Sequence, residues 1–97
     1  MSFLLLIKEQ AQQELEATIL YYEGKRKNLG VEFLEETEFI FNLITDAPEL
    51  FSLKYKNTRE ALLKRFPYII VYEIEQNSIV VYSIFNTSRN PKSKIKK

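Results

Sequence analysis

The sequence predicts an α+β domain of order β-α-α-β-β-β, with a helical hairpin packed on one face of a mainly antiparallel four-stranded sheet. Three observations carry this. Two β-rich runs, Tyr68 to Glu75 and Ile79 to Asn86, flank the polar break Gln76-Asn77-Ser78 as a hairpin. Upstream, apolar residues recur at helical spacing from about Glu9 to Lys27 and again from about Val31 to Thr45. The link between those two stretches is so short that the helices must turn back on each other.

The first element is the run Phe3-Leu4-Leu5-Leu6-Ile7, too short for a membrane span or a signal-peptide core and followed at once by Lys8-Glu9, so it reads as a strand. In the first helix Ala11, Leu15, Ile19 and Tyr22 form one face, which Ala17, Leu20 and Tyr21 are expected to broaden. Gly24 and Lys25-Arg26-Lys27 suit its end, where cations meet the negative pole of the helix dipole, and Asn28-Leu29-Gly30 supplies a turn. The second helix lines up Phe33, Leu34, Thr37, Ile40, Phe41 and Ile44, with Glu32, Glu35, Glu36 and Glu38 toward solvent. Asp46-Ala47-Pro48 stops it, because proline lacks the backbone donor and disfavours helix in the residue before it.

Glu49 to Asn57 reads as an irregular connector, then Thr58 to Lys64 as a strand, with Phe66-Pro67 a turn. In the hairpin, alternation places Tyr68, Ile70, Tyr72 and Ile74 on one face. In its second strand Val80, Tyr82 and Ile84 oppose Ile79, Val81, Ser83 and Phe85. Both faces are apolar near the middle, so one packs on the helices and the other calls for cover from a tail or a partner.

A hydrophobic fraction of 45% with 13% aromatics suffices for one core, expected to span residues 1–91, with residues 92–97 a basic tail. The chain has neither cysteine nor histidine, which removes thiolate nucleophiles, disulfides, Cys/His zinc sites and the usual general base. No cofactor or metal is expected, and the cytoplasm is the expected location. The net charge of +1 is unevenly spread: residues 1–50 hold four basic and ten acidic residues, residues 51–97 ten basic and three acidic. The second half therefore suits an acidic or phosphate-bearing partner.

The candidate site residues are the cations of that half. Arg59, Lys64, Arg65, Arg89, Asn90 and Lys92 form a candidate binding rim, since the planar arginine fork grips carboxylate or phosphate with two bonds. Were the chain a metal-independent ribonuclease, Arg59, Arg65 and Arg89 would clamp the phosphate if they converge, with Lys54 and Lys56 adding charge. The structural alternative for Arg59 and Arg65 is pairing with helix glutamates or capping the sheet edge. Tyr21, Tyr22, Tyr68 and Tyr72 read as packing residues.

Several segments taken in order resemble the ParE/RelE superfamily of toxins from type II toxin–antitoxin, or plasmid-stabilisation, systems. They are Ala11-x-x-x-Leu15-Glu16-Ala17, Tyr21-Tyr22-Glu23, Leu29-Gly30-x-x-Phe33-Leu34, Pro48-Glu49-Leu50, Arg59-x-x-Leu62-x-Lys64-Arg65-Phe66-Pro67-Tyr68-x-Ile70-x-Tyr72 and Thr87-Ser88-Arg89-Asn90-Pro91. The resemblance implies a bacterial toxin held in a hetero-oligomer by a cognate antitoxin with an acidic C-terminal segment. ParE-like members inhibit DNA gyrase; RelE-like members cleave mRNA on the ribosome. This chain has Ile69 where ribosome-dependent members resembling RelE carry arginine, Asn86 where many relatives have histidine, and no aromatic after Phe85. The expected function is therefore a ParE-like toxin that acts by binding. A RelE-like endoribonuclease is the alternative, and an inactive toxin-fold interaction module the second.

Overall fold

Two helices and five strands make up the computed structural model, which describes residues 3–88. Strand β1 (Leu4–Ile7) leads into helix α1 (Glu9–Lys25) and helix α2 (Leu29–Asp46), followed by strands β2 (Leu53–Tyr55), β3 (Thr58–Leu62), β4 (Tyr68–Glu75) and β5 (Ser78–Asn86). The sheet order is β1-β5-β4-β3-β2. The α+β class and the helical hairpin are as expected, but the sheet is five-stranded and mixed. β1 runs parallel to β5, pairing Leu4 with Ser78 and Ile7 with Val81, while the other neighbours are antiparallel.

The extra strand lies inside the expected connector. β2 has three exposed residues paired to β3 across the Lys56-Asn57 turn, where Lys56 takes a left-handed φ of 54°. So short a strand has no alternation to read, and its irregular register hides it further. β3 ends at Leu62, two residues earlier than expected.

Asn28-Leu29-Gly30 is not a free turn either. Asn28 alone takes the left-handed conformation, φ 73°, and α2 starts at the next residue. The Glu23 carboxylate accepts the backbone N–H of Asn28 at 2.8 Å and of Gly30 at 3.0 Å, satisfying donors that a helix start leaves open.

The core lies between the helices and one sheet face. α1 contributes Ala11, Leu15 and Thr18, with Ile19 and Tyr22 packed at the margin. Leu20 and Tyr21 stay exposed, at 73% and 55%, so the apolar face is narrower than expected: at 3.6 residues per turn it runs through Thr18 instead. α2 contributes Phe33, Thr37, Ile40, Phe41 and Ile44.

A register shift in β5 sets which hairpin residues join them. Val71 pairs with Ser83 but Tyr72 with Val81, leaving Tyr82 as the extra residue of a bulge. Ile79 and Val81 therefore reach the core together with Ile84, from which strict alternation would separate them. On the opposite sheet face Leu4 and Leu6 of β1 and Leu62 of β3 are exposed, whereas the hairpin residues Ile69, Val71 and Val80, where the two-sided apolar pattern lies, are buried.

Candidate functional site

The expected cations occupy three separate places. Arg59, near the β2 end of β3, donates from Nη1 to the backbone carbonyl of Phe51 at 2.7 Å. Tyr72, its cross-strand partner, donates its hydroxyl to the Pro48 carbonyl at 2.7 Å. The two side chains thus clamp the chain that follows α2. Burial pushes the Tyr72 hydroxyl pKa up to about 12, with the nearby Arg59 charge opposing the rise.

Lys54 and Lys56 lie on the exposed β2–β3 hairpin, where the Lys56 ammonium sits 5.4 Å from the Tyr55 ring centroid. Lys64 and Arg65 lie beyond the other end of β3, in the loop leading to β4. Their backbone N–H groups donate to the Glu36 carboxylate, Lys64 at 2.6 Å and Arg65 at 3.2 Å. The Arg65 guanidinium donates to Glu32 Oε1 at 2.5 Å and lies 5.4 Å from the Phe66 ring centroid.

Arg59 and Arg65 therefore do not share a phosphate-sized site. Arg59 is bound to Phe51, in the chain that follows the C-terminal end of α2, and Arg65 to Glu32 in its first turn. Arg89, Asn90 and Lys92 lie outside the described residues.

Several further side-chain contacts link distant parts of the chain. Arg26 joins Arg65 on Glu32 Oε1, at 3.3 Å, and hydrogen bonds first from Arg65 and then from Arg26 hold the Glu32 carboxyl below its usual pKa. Glu14 of α1 accepts the Ile84 backbone N–H at 2.8 Å and the Ser83 hydroxyl at 3.0 Å, beyond the point where β1 stops pairing with β5. Its carboxylate occupies the place a further strand residue would take. The signal for it was in the periodicity, because Glu14 stands three residues after Ala11 and four before Thr18, a charge on the buried stripe. Tyr82 donates to Glu73 at 2.9 Å, and burial followed by the Glu73 hydrogen bond pushes its pKa to about 12.

Two shallow grooves lie among the described residues. One, of about 420 Å³, runs between α1 and β5 with Ala17, Tyr21, Phe85 and Asn86 among its walls. The other, of about 380 Å³, lies around Phe3, Pro48, Leu50 and Ile74. Among the described residues neither is lined by a lysine or arginine, so Arg59, Lys64 and Arg65 lie outside both.

Comparison with known proteins gives the family of the chain. The profile of the family described as ParE toxin of type II toxin-antitoxin system, parDE, matches residues 5–91. The chain belongs to that family. Among solved structures, this ParE-family toxin is similar to a protein of the chromosomal ParDE TA system from P. aeruginosa, with a TM-score of 0.77 at 12% sequence identity. The match covers 88% of this chain and 96% of the other. At that identity the likeness is one of fold. No curated protein is significantly similar in sequence.

The raised tyrosine pKa values of this toxin set its alkaline behaviour. A hydroxyl that titrates near 10 in the unfolded chain and near 12 when folded disfavours the phenolate in the native state. The stability it contributes is complete below about pH 10 and disappears as the pH rises through about 12. Urea midpoints measured from neutral to strongly alkaline pH are expected to fall over that window. Tyr72→Phe should lose about 1–2 kcal/mol at neutral pH, because the buried Pro48 carbonyl is left without its donor, and should fall less steeply in alkali.

Proposed function

We propose that this type II toxin acts by binding its target, with DNA gyrase as that target, and that a cognate antitoxin with an acidic segment neutralises it in a hetero-oligomer. The gyrase assignment rests on the likeness to ParE. The observation that supports binding over cleavage is the separation of Arg59 from Arg65, each engaged at its own end of α2. A phosphorane-stabilising clamp needs convergent donors, and the chain offers no histidine to move protons beside them. The cationic residues Arg59, Lys64, Arg65, Arg89, Asn90 and Lys92 serve in this reading as contacts for the target or the antitoxin, in the cytoplasm.

Induced expression in a bacterial host tests it, with plasmid supercoiling and ribosome-associated mRNA cleavage read side by side. Loss of gyrase supercoiling with intact message is the expected result. Message cleavage abolished by Arg89→Ala would replace it with the ribonuclease reading, in which Lys54 and Lys56 supply further charge. Normal growth with neither effect would leave an inactive interaction module.

A further inference from the structure

The sheet has two faces, and among the described residues both helices pack on one. Ala61, Ile70 and Tyr72 share the core cluster with residues of α1 and α2, so alternation turns Glu60, Leu62, Ile69 and Val71 to the outer face. Val80, paired with Glu73, and Leu6, paired with Val80, join them there. Ile69, Val71 and Val80 lie outside the core cluster, yet they are only 4%, 5% and 5% exposed. A central-strand residue on a bare sheet face keeps contact with water, so this burial calls for cover that the two helices do not supply.

The same face is acidic. Glu60, Glu73 and Glu75 stand on it, and β1, β3, β4 and β5 send it no lysine or arginine, because Arg59, opposite Tyr72, faces the core side. Glu73 and Glu75 both approach the Tyr82 hydroxyl, at 2.9 and 3.2 Å, and one hydroxyl has one proton to donate. The pair therefore sets two like charges side by side, a place that favours an ammonium group. An occupant of this face is cationic with some apolar surface. Residues 89–97 have that composition: Arg89 and four lysines, Pro91 and Ile95, and no acid. They also follow directly on β5, where the Thr87 N–H donates to the Pro67 carbonyl at 2.7 Å and fixes the chain beside the start of β4. From there Tyr82 lies four residues back from Asn86, about 13 Å, and nine extended residues reach about 30 Å. The order along that path fits as well. Leu62, Ile69 and Phe85 share the row nearest the end of β5, and Glu73 and Glu75 lie farther on, as Lys92 to Lys97 follow Pro91.

We propose that the basic segment 89–97 seats on the outer sheet face of its own chain, crossing Ile69 and Val71 and bringing its lysines to Glu73 and Glu75. The lysines of the tail are then held by the chain itself, and another anion reaches them only in competition with these carboxylates. The inference goes beyond the toxin–antitoxin reading and does not depend on it.

The chain has no cysteine, so Ser93→Cys in the full-length protein gives a single attachment point for a nitroxide spin label. Methyl signals of Leu62, Val71 and Val80 are expected to lose most of their intensity at low salt, relative to the reduced label, while those of Leu20 on α1 and Val31 on α2 keep theirs. Salt at about 1 M, where the screening length falls to about 3 Å, should return much of the lost intensity. Glu73→Gln combined with Glu75→Gln should do the same at low salt, with thermal unfolding of the variant as the fold control. Loss at Leu62, Val71 and Val80 no greater than at Leu20 and Val31 overturns the proposal and leaves the outer face to a protein partner. Loss that neither salt nor the glutamine variant reduces removes the carboxylates as the anchor and overturns it too. A mixed sample, with the spin label on one population and the methyl label on the other, identifies the remaining occupant. Intensity lost there shows the segment on a second copy and overturns seating within one chain, whereas unchanged intensity is the expected result.

Discussion

Gly30→Ala is expected to lower the stability of the folded chain by about 2 kcal/mol, read as a fall in the urea midpoint at unchanged slope. Helix propensity favours alanine over glycine by about 1 kcal/mol, so propensity alone predicts the opposite sign. The clash decides it. A Cβ at residue 30 would press into the backbone carbonyl oxygen of Ile19 and stand 3.1 Å from both Glu23 Cβ and Glu23 Oε1. Backbone cannot rotate out of the way as a side chain can, so α1 and α2 would have to move apart. That motion would pull the Glu23 carboxylate off the Asn28 and Gly30 amides it caps. Gly24 provides the control. Nothing lies within 4 Å of a Cβ built there, and Gly24→Ala in α1 should stabilise by about 0.7 kcal/mol.

The same glycine shows where sequence reasoning reaches its limit. Asn28-Leu29-Gly30 carries the composition of a turn, yet only Asn28 turns. Leu29 and Gly30 are helical because a glutamate from the preceding helix caps the new one, a tertiary contact that local propensity cannot contain. The hairpin is a similar case. Its strands were legible from β-branched and aromatic runs, but the bulge at Tyr82 inverts the facing of every residue before it in β5. One inserted residue leaves composition unchanged and moves Val81 from one face to the other. The parallel pairing of β1 with β5 depends on a crossover that no local pattern specifies.

At the candidate site, residue type was legible and geometry was not. An arginine near a strand end reads alike whether it faces a ligand or its own backbone. Arg59 turned out to brace the chain after α2, whereas Arg65 stands at the surface on Glu32. Arg26 read as a helix-end cation, and its meeting with Arg65 exists only once the hairpin folds back onto the sheet. Residues that act by converging are the last to be visible in one dimension.

The largest expected loss is at Phe33, where truncation to alanine should cost about 4 kcal/mol. The residue is fully buried, and three aromatic rings surround it: Phe66 at 5.1 Å edge-on, Tyr68 at 5.1 Å edge-on and Tyr22 at 5.5 Å. Removing the ring forfeits its transfer from water, leaves a cavity walled by rings from α1, the loop after β3 and β4, and ends the edge-to-face contacts. A loss of this size is a large part of the roughly 5–15 kcal/mol that holds a domain together, so the alanine variant should be substantially unfolded near 37 °C. Phe33→Leu keeps most of the volume and should cost about 2 kcal/mol, leaving a folded protein in which the consequence for the site can be read. Phe66 is the residue after Arg65, so loosening its ring frees the loop that presents the guanidinium. Amide exchange at Lys64 and Arg65, whose N–H groups rest on Glu36, should therefore accelerate in Phe33→Leu by more than the global loss of stability requires, while the Leu15 amide, inside α1, should follow the global value. Equal acceleration at all three amides would show that the aromatic cluster supports the fold as a whole and gives the Arg65 loop no separate anchorage.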